Sequence, residues 1–198
     1  QRSHRVRERL DDRLRYHYPD LHLHWLEIDT LLPGQLATSY EAMCSLMREQ
    51  PQCSTHPLLI HNCDTGFCWN DDLAEISGFA SMPVFPALGE HWSFGLPDPK
   101  NPSQALEITE KVRISDLASI GLYGFATTEH FLKAGELQLN HGQKINNEHF
   151  IAPMLQAALQ RGERVSLPRV EGVRLYGTPL ELMGTFSMSW QEVLSNNK

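Results

Sequence analysis

Leu58-Leu59-Ile60 runs straight into His61-Asn62-Cys63-Asp64-Thr65, an apolar segment that ends in a polar cluster with a single acid. A short apolar run of this kind reads as a strand buried on both faces of a parallel sheet. Open sheets of that class gather their ligands outside the carboxyl ends of the strands, so such a strand would deliver Asp64 to the ligand edge. A carboxylate there can hold Mg²⁺, and Mg²⁺ can hold phosphates. Acids after strands also cap the helix that follows, and the run alone does not choose between the two roles.

The rest of the chain narrows the choice. With 198 residues it is long enough for one domain with a sizeable core, and we expect a single domain over residues 1–198. The formal net charge of −7 argues against general affinity for nucleic acid or an anionic membrane surface. No window approaches the ~18 apolar residues of a membrane span. The charged opening Gln1 to Arg15 is no signal peptide, so a cytoplasmic location is expected. Cys44, Cys53, Cys63 and Cys68 have no framework spacing and no C-x₂-C pair, which favours reduced thiols over a zinc site. The chain opens on Gln1 and passes directly into a helical pattern, as a piece of a longer protein would.

Val6, Leu10 and Leu14 at spacing four predict a narrow-faced helix that stops before Pro19. Leu21 to Ile28 alternates as a strand, with His22 and His24 on its outer face. Pro33-Gly34 makes a turn into a helix through Ala42, Leu46 and Met47, and a glycine turn at a helix start is a ready anion site. Strands are expected at 78–85, 91–96, 106–111, 120–125 and 165–170. Helices are expected after Thr127 or Thr128, after Asn147, and from Gly177-Thr178-Pro179, with a frayed end at 195–198. This order predicts an α/β fold: a three-layer αβα sandwich around a mixed, mostly parallel sheet.

Five landmarks in this order resemble a known family. They are Gly34-Gln35-x-Ala37-Thr38, Asn62-x-Asp64, Glu110-Lys111 with Ser115, Ala118 and Gly121-Leu122-Tyr123-Gly124-Phe125, Glu148 before an apolar helix, and Gly177-Thr178-Pro179. Together they are similar to the sugar-phosphate nucleotidyltransferases, also called nucleoside-diphosphate-sugar pyrophosphorylases, over roughly residues 5 to 185. The resemblance implies transfer of a nucleoside monophosphate from a nucleoside triphosphate to a sugar phosphate or related phosphomonoester, with release of pyrophosphate. It further implies Asp64 as a Mg²⁺ ligand, and Gly34, Gln35, Thr38 and Asn62 on the nucleotide side. Lys111 would bind the acceptor phosphate or sugar, Glu110 and Glu148 the acceptor, and Trp92 would wall it. Gly121 would let a strand backbone approach it. A homo-oligomer is compatible with this reading.

Two departures accompany the resemblance. The family's opening strand and G-G-x-G-T-R loop have no match, so the chain is expected to begin after them. The family often places an aspartate two residues before its last Gly-Thr as a second metal ligand, where this chain has Leu175. The ending Leu175-Tyr176-Gly177-Thr178-Pro179 is similar to the leucine-glycine-threonine-proline ending of a group associated with surface-polysaccharide genes, in which Glu148 or Glu171 would complete the site. Two alternatives stay open: a nucleotide-sugar-binding domain without turnover, and a glycosyltransferase of the related fold, for which Asn62-Cys63-Asp64 keeps one acid of a D-x-D motif.

Overall fold

A computed structural model describes residues 6–73 and 75–189, and the chain divides into a unit ending at Leu31 and a larger unit beginning at Leu32. The expected fray at 195–198 lies outside the described residues. In the first unit, helix α1 (Val6–His17) carries Glu8 in its first turn and Arg15 and His17 in its last, which suits the helix dipole. The segment expected as a strand at 21–28 forms none. It finds no ladder partner, and an unpaired strand is not stable in water. Asp11 ties it down instead, accepting from Trp25 Nε1 at 2.8 Å and from Arg15 Nε at 2.7 Å.

In the larger unit the chain runs through α2 (Gln35–Glu49), β1 (Leu58–His61), β2 (Thr65–Cys68), β3 (Ala80–Ser81) and β4 (Val84–Pro86). It continues with β5 (Ser93–Asp98), β6 (Asn101–Glu110), β7 (Leu117–Ser119), β8 (Leu122–Phe125), α3 (Thr128–His141) and α4 (Ile151–Gln160). The last elements are β9 (Val165–Ser166), β10 (Glu171–Leu175) and α5 (Pro179–Thr185). Eight strands form one sheet in the order β1-β8-β3-β9-β6-β5-β7-β4, and β2 pairs with β10 in a separate ribbon.

The α/β sheet is mixed, as expected, but its pairings are mostly antiparallel rather than mostly parallel. Among the named strands only β3 and β9 run parallel. The cause is local. Parallel neighbours need a long crossover, and here only β3 and β9 have one, the whole run from β4 to α4, whereas β8, which leads into α3 and α4, runs opposite to β9. β5 and β6, by contrast, are joined by the turn-forming Pro99-Lys100. The strand leading to Asp64 is also not a buried parallel one. β1 is an edge strand, antiparallel to β8, with alternating half-buried and exposed residues.

On one face the sheet packs against α2, α3 and α4 through Leu36, Phe131, Ile151, Met154 and Leu155, which meet Phe125, Val165 and Ile108. Each such side chain, fully buried, contributes about 2 kcal/mol. On the other face Leu122 and Ile120 meet Leu73, Val170, Phe67 and Val173. That second layer, among the described residues, is therefore the β2–β10 ribbon and a 3₁₀ turn at Asp71–Leu73 rather than long helices. Among the described residues no helix is long and apolar enough to cross a membrane.

Candidate functional site

A cleft of about 380 Å³ opens where the ends of β1, β6 and β8 meet the start of α2 and the turn before α5. Its first wall is made by loops. The Asn62 N–H donates to Gly121 O at 3.0 Å, and Gln35 Nε2 donates to Asn62 Oδ1 at 2.5 Å. Gly121 has φ +76, and a Cβ there would lie 2.8 Å from Asn62 Cγ, so only glycine lets this loop close against β8. Asp64 is exposed, and its carbonyl accepts from the Tyr176 N–H at 2.8 Å, which brings the end of β10 alongside.

The second wall is made by strands. Ser93 Oγ donates to the Glu110 carboxylate and lies 3.2 Å from Tyr123 Oη. Glu110 is only 8% exposed, so its charged form has lost most of its water. Burial therefore pushes its carboxyl above the ordinary glutamate range; the Ser93 hydrogen bond and the Lys111 charge oppose this, and the Glu148 charge adds to it. Burial likewise raises the Tyr123 phenol. Lys111 ends β6 in the left-handed region, at φ +57, with its N–H donating to Trp92 O at 2.8 Å. Its Nζ lies 4.4 Å above the centre of the Phe150 ring. Trp92 is held by a 3.0 Å bond from Nε1 to Leu88 O, by Phe85 edge-on at 5.4 Å, and by the His91 ring at 4.4 Å.

Of the residues singled out from the sequence, Gln35, Asn62, Asp64, Trp92, Glu110, Lys111 and Gly121 all line this cleft. Three do not. Gly34 sits just behind Gln35 as the N-cap of α2, pressed on His149, where a Cβ would meet the backbone oxygen at 2.7 Å. Thr38 is exposed and spends its hydroxyl on Gly34 O at 3.0 Å, inside the first turn of α2. Glu148 is exposed in the loop before α4 and reaches the cleft only through its charge on Glu110.

Leu175 does line the cleft, whereas Glu171, at the far end of β10, does not. The second acid is Glu181, which the sequence reading passed over. A Cβ built on Gly177 would stand 3.1 Å from Asp64 Oδ2 and 3.3 Å from Glu181 Oε2, so both carboxylates converge there. The signal was present as Thr178-Pro179-Leu180-Glu181, a capping box. Its helix-starting role is real: Glu181 Oε2 accepts from the Thr178 N–H at 2.8 Å. Ser93, beside Trp92, lines the cleft too, as do Tyr123, on the buried strand β8, and Phe150, the N-cap of α4; neither a buried strand pattern nor a helix start gives a hint of such a role.

Among the described residues no group of three or more His, Cys, Asp or Glu could hold a metal ion. The site therefore does not suit an ion caged by protein alone. Two carboxylates at one point suit a Mg²⁺ that brings its own phosphates and waters, the usual manner for that ion.

No family model matches the sequence, and no curated protein matches it. Solved structures do match in fold. The nucleoside-diphosphate-sugar pyrophosphorylase from Vibrio cholerae RC9 is similar at 23% identity, with a TM-score of 0.75, over 92% of this chain and 77% of that one. A UDP-glucose pyrophosphorylase complexed with UDP-glucose is similar at 10% identity and a TM-score of 0.66, over 97% of this chain and 73% of that one. A UDP-glucose pyrophosphorylase without ligand matches at 11% identity and a TM-score of 0.59, over 83% and 62%. The fold is that of the nucleotide-diphospho-sugar transferases.

Proposed function

We propose that this chain is a sugar-phosphate nucleotidyltransferase, which joins a nucleoside monophosphate from a nucleoside triphosphate to a sugar phosphate or related phosphomonoester and releases pyrophosphate. The observation that carries the reading is that Asp64 and Lys111, from distant parts of the chain, face one cleft. The titles of structures sharing this fold, including one with UDP-glucose bound, support the substrate class. The ending Leu175-Tyr176-Gly177-Thr178-Pro179, similar to that of the group associated with surface-polysaccharide genes, supports precursors of surface polysaccharide as the products.

Such a reaction needs no protein nucleophile. The acceptor phosphate oxygen attacks the α-phosphorus and pyrophosphate leaves, so the protein has to align two anions that repel each other. In this reading Gln35 and Asn62 face the nucleotide, and the tight turn at Gly121 leaves backbone open to the acceptor. Lys111 offers a positive charge to the acceptor phosphate. Glu110, oriented by Ser93, accepts from acceptor hydroxyls, and Trp92 walls the apolar face. Asp64 and Glu181 would hold Mg²⁺, which supplies charge neutralisation on the phosphates when bound.

The test mixes the protein with each nucleoside triphosphate, Mg²⁺ and a panel of sugar phosphates, and measures pyrophosphate. Release above background that falls in Asp64→Ala is expected. No release in any combination would overturn the reading. A second reading, a nucleotide-sugar-binding domain without turnover, is favoured by one observation: Leu175 stands in the cleft wall where an acid is often found. Calorimetry that shows nucleotide-sugar binding indifferent to Mg²⁺ would choose it.

A further inference from the structure

Lys111 has an unusual setting for a long, flexible cation. Its backbone is fixed twice, by the left-handed φ of +57 and by the 2.8 Å bond from its N–H to Trp92 O. A left-handed non-glycine residue is strained and persists only where the surroundings hold it. Beyond the backbone, the ammonium lies over the face of Phe150 at 4.4 Å and within the field of the Glu110 carboxylate, with which it forms no ion pair among the described residues.

Phe150 is itself anchored on both sides. Ahead of it, His149 is buried, its N–H donates to Pro33 O at 2.8 Å, and its carbonyl accepts from the Leu36 N–H at 2.9 Å. Behind it, Ile151 and Ala152 are fully buried in the core beneath α4. The ring is therefore a fixed platform that still lines the cleft. An aromatic face attracts an ammonium without using any of its three N–H donors, which stay free for a phosphate. A carboxylate partner would take some of those donors and cancel the charge.

We infer that Phe150 is a positioning residue: its ring holds the Lys111 ammonium in the cleft, pre-ordered for a phosphate oxygen of the acceptor. The inference rests on the proposed function for the identity of the phosphate, and on geometry alone for the ring and the lysine. The same arrangement ties the two walls together, because the segment that carries the ring is bonded to the turn that carries Gln35.

Selective ¹³Cε labelling of lysine is tractable with five lysines in the chain, and Lys111→Arg assigns the resonance. In the wild type the Lys111 signal is expected to carry an upfield ring-current shift, kept in Phe150→Tyr and Phe150→Trp and lost in Phe150→Leu. Titration with inorganic phosphate as the probe should then show about three- to fivefold weaker binding in Phe150→Leu, with affinity rescued in the two aromatic variants. A merely structural role would not sort the variants by aromaticity. An unchanged Lys111 resonance in Phe150→Leu overturns the inference, as does a phosphate affinity that depends on Lys111 and ignores Phe150. A phosphate affinity unaltered in Lys111→Ala likewise overturns the inference, whereas failure of the nucleotidyltransferase reading has a different signature: no pyrophosphate release from any triphosphate and sugar phosphate, while the wild-type ring-current shift and the sorting of phosphate affinity by aromaticity are intact.

Discussion

On the strand wall of the cleft, Glu110 is nearly buried, hydrogen-bonded to Ser93, and flanked by a lysine held in a rare backbone conformation. On the loop wall, the Asp64 carboxylate stands in solvent, its one hydrogen bond among the described residues a 3.5 Å contact from Thr65 Oγ1, beside the half-buried Glu181 of the α5 capping box. The strand wall is ordered in the free protein. The loop wall leaves two carboxylates to be organised by whatever cation and phosphates arrive. This is the division expected where one substrate is a neutral, hydroxyl-rich body on a phosphate and the other is a metal-bound triphosphate: the first needs shape, the second needs charge.

The contrast can be broken in four places. Gly121→Ala should have the largest effect, because the new Cβ meets Asn62 in a left-handed backbone. A loss of about 3 kcal/mol in urea unfolding is expected, and a loss under 1 kcal/mol would mean the loop wall yields. Asp64→Asn should leave the melting temperature within about 1 °C, as exposed substitutions do, while cutting pyrophosphate release about a hundredfold. Equal losses of stability and turnover would show that the acid supports the fold instead.

Lys111→Gly separates strain from function. Glycine accepts the positive φ freely, so stability should rise by about 0.5–1 kcal/mol while acceptor KM rises about tenfold. A variant that is both less stable and unaltered in KM would remove Lys111 from the site.

Glu110→Gln should have the smallest effect, and its sign depends on pH. A carboxyl whose folded pKa is raised favours folding in its protonated form. That contribution is whole below the ordinary glutamate pKa and is lost as pH rises through the raised value. The variant, which cannot ionise, should therefore gain on the wild type between pH 4 and pH 8 in denaturant melts. A constant difference across that range would mean Glu110 is not held up by burial.

What the sequence made legible followed local chemistry. Thr127 caps α3 and Thr178 caps α5, with Pro179 in the first turn, because these signals act within four residues. The single strand expected at 78–85 instead splits at Met82-Pro83 into β3 and β4, since a proline cannot donate to a ladder. Sheet direction was not, because it depends on which strands meet, and an apolar run such as Leu58 to Ile60 reads alike in an edge and a centre. The short β7 and β10 lie outside the expected strands; both are strands because partners elsewhere in the chain pair with them. Within the site, the order of landmarks was enough to bring Gln35, Asn62, Asp64, Glu110, Lys111 and Gly121 to one cleft. Glu181 and Phe150 escaped because each already has a local role, one at a helix cap and one ahead of a buried helix.

The most direct test of the account follows the α-phosphorus. The protein is incubated with Mg²⁺, a sugar phosphate and a nucleoside triphosphate labelled at that position. The account predicts that the label moves into a product that needs both substrates, resists phosphatase and disappears in Asp64→Asn. Label that stays in the triphosphate, or emerges as free nucleoside monophosphate whether or not the sugar phosphate is present, would contradict it.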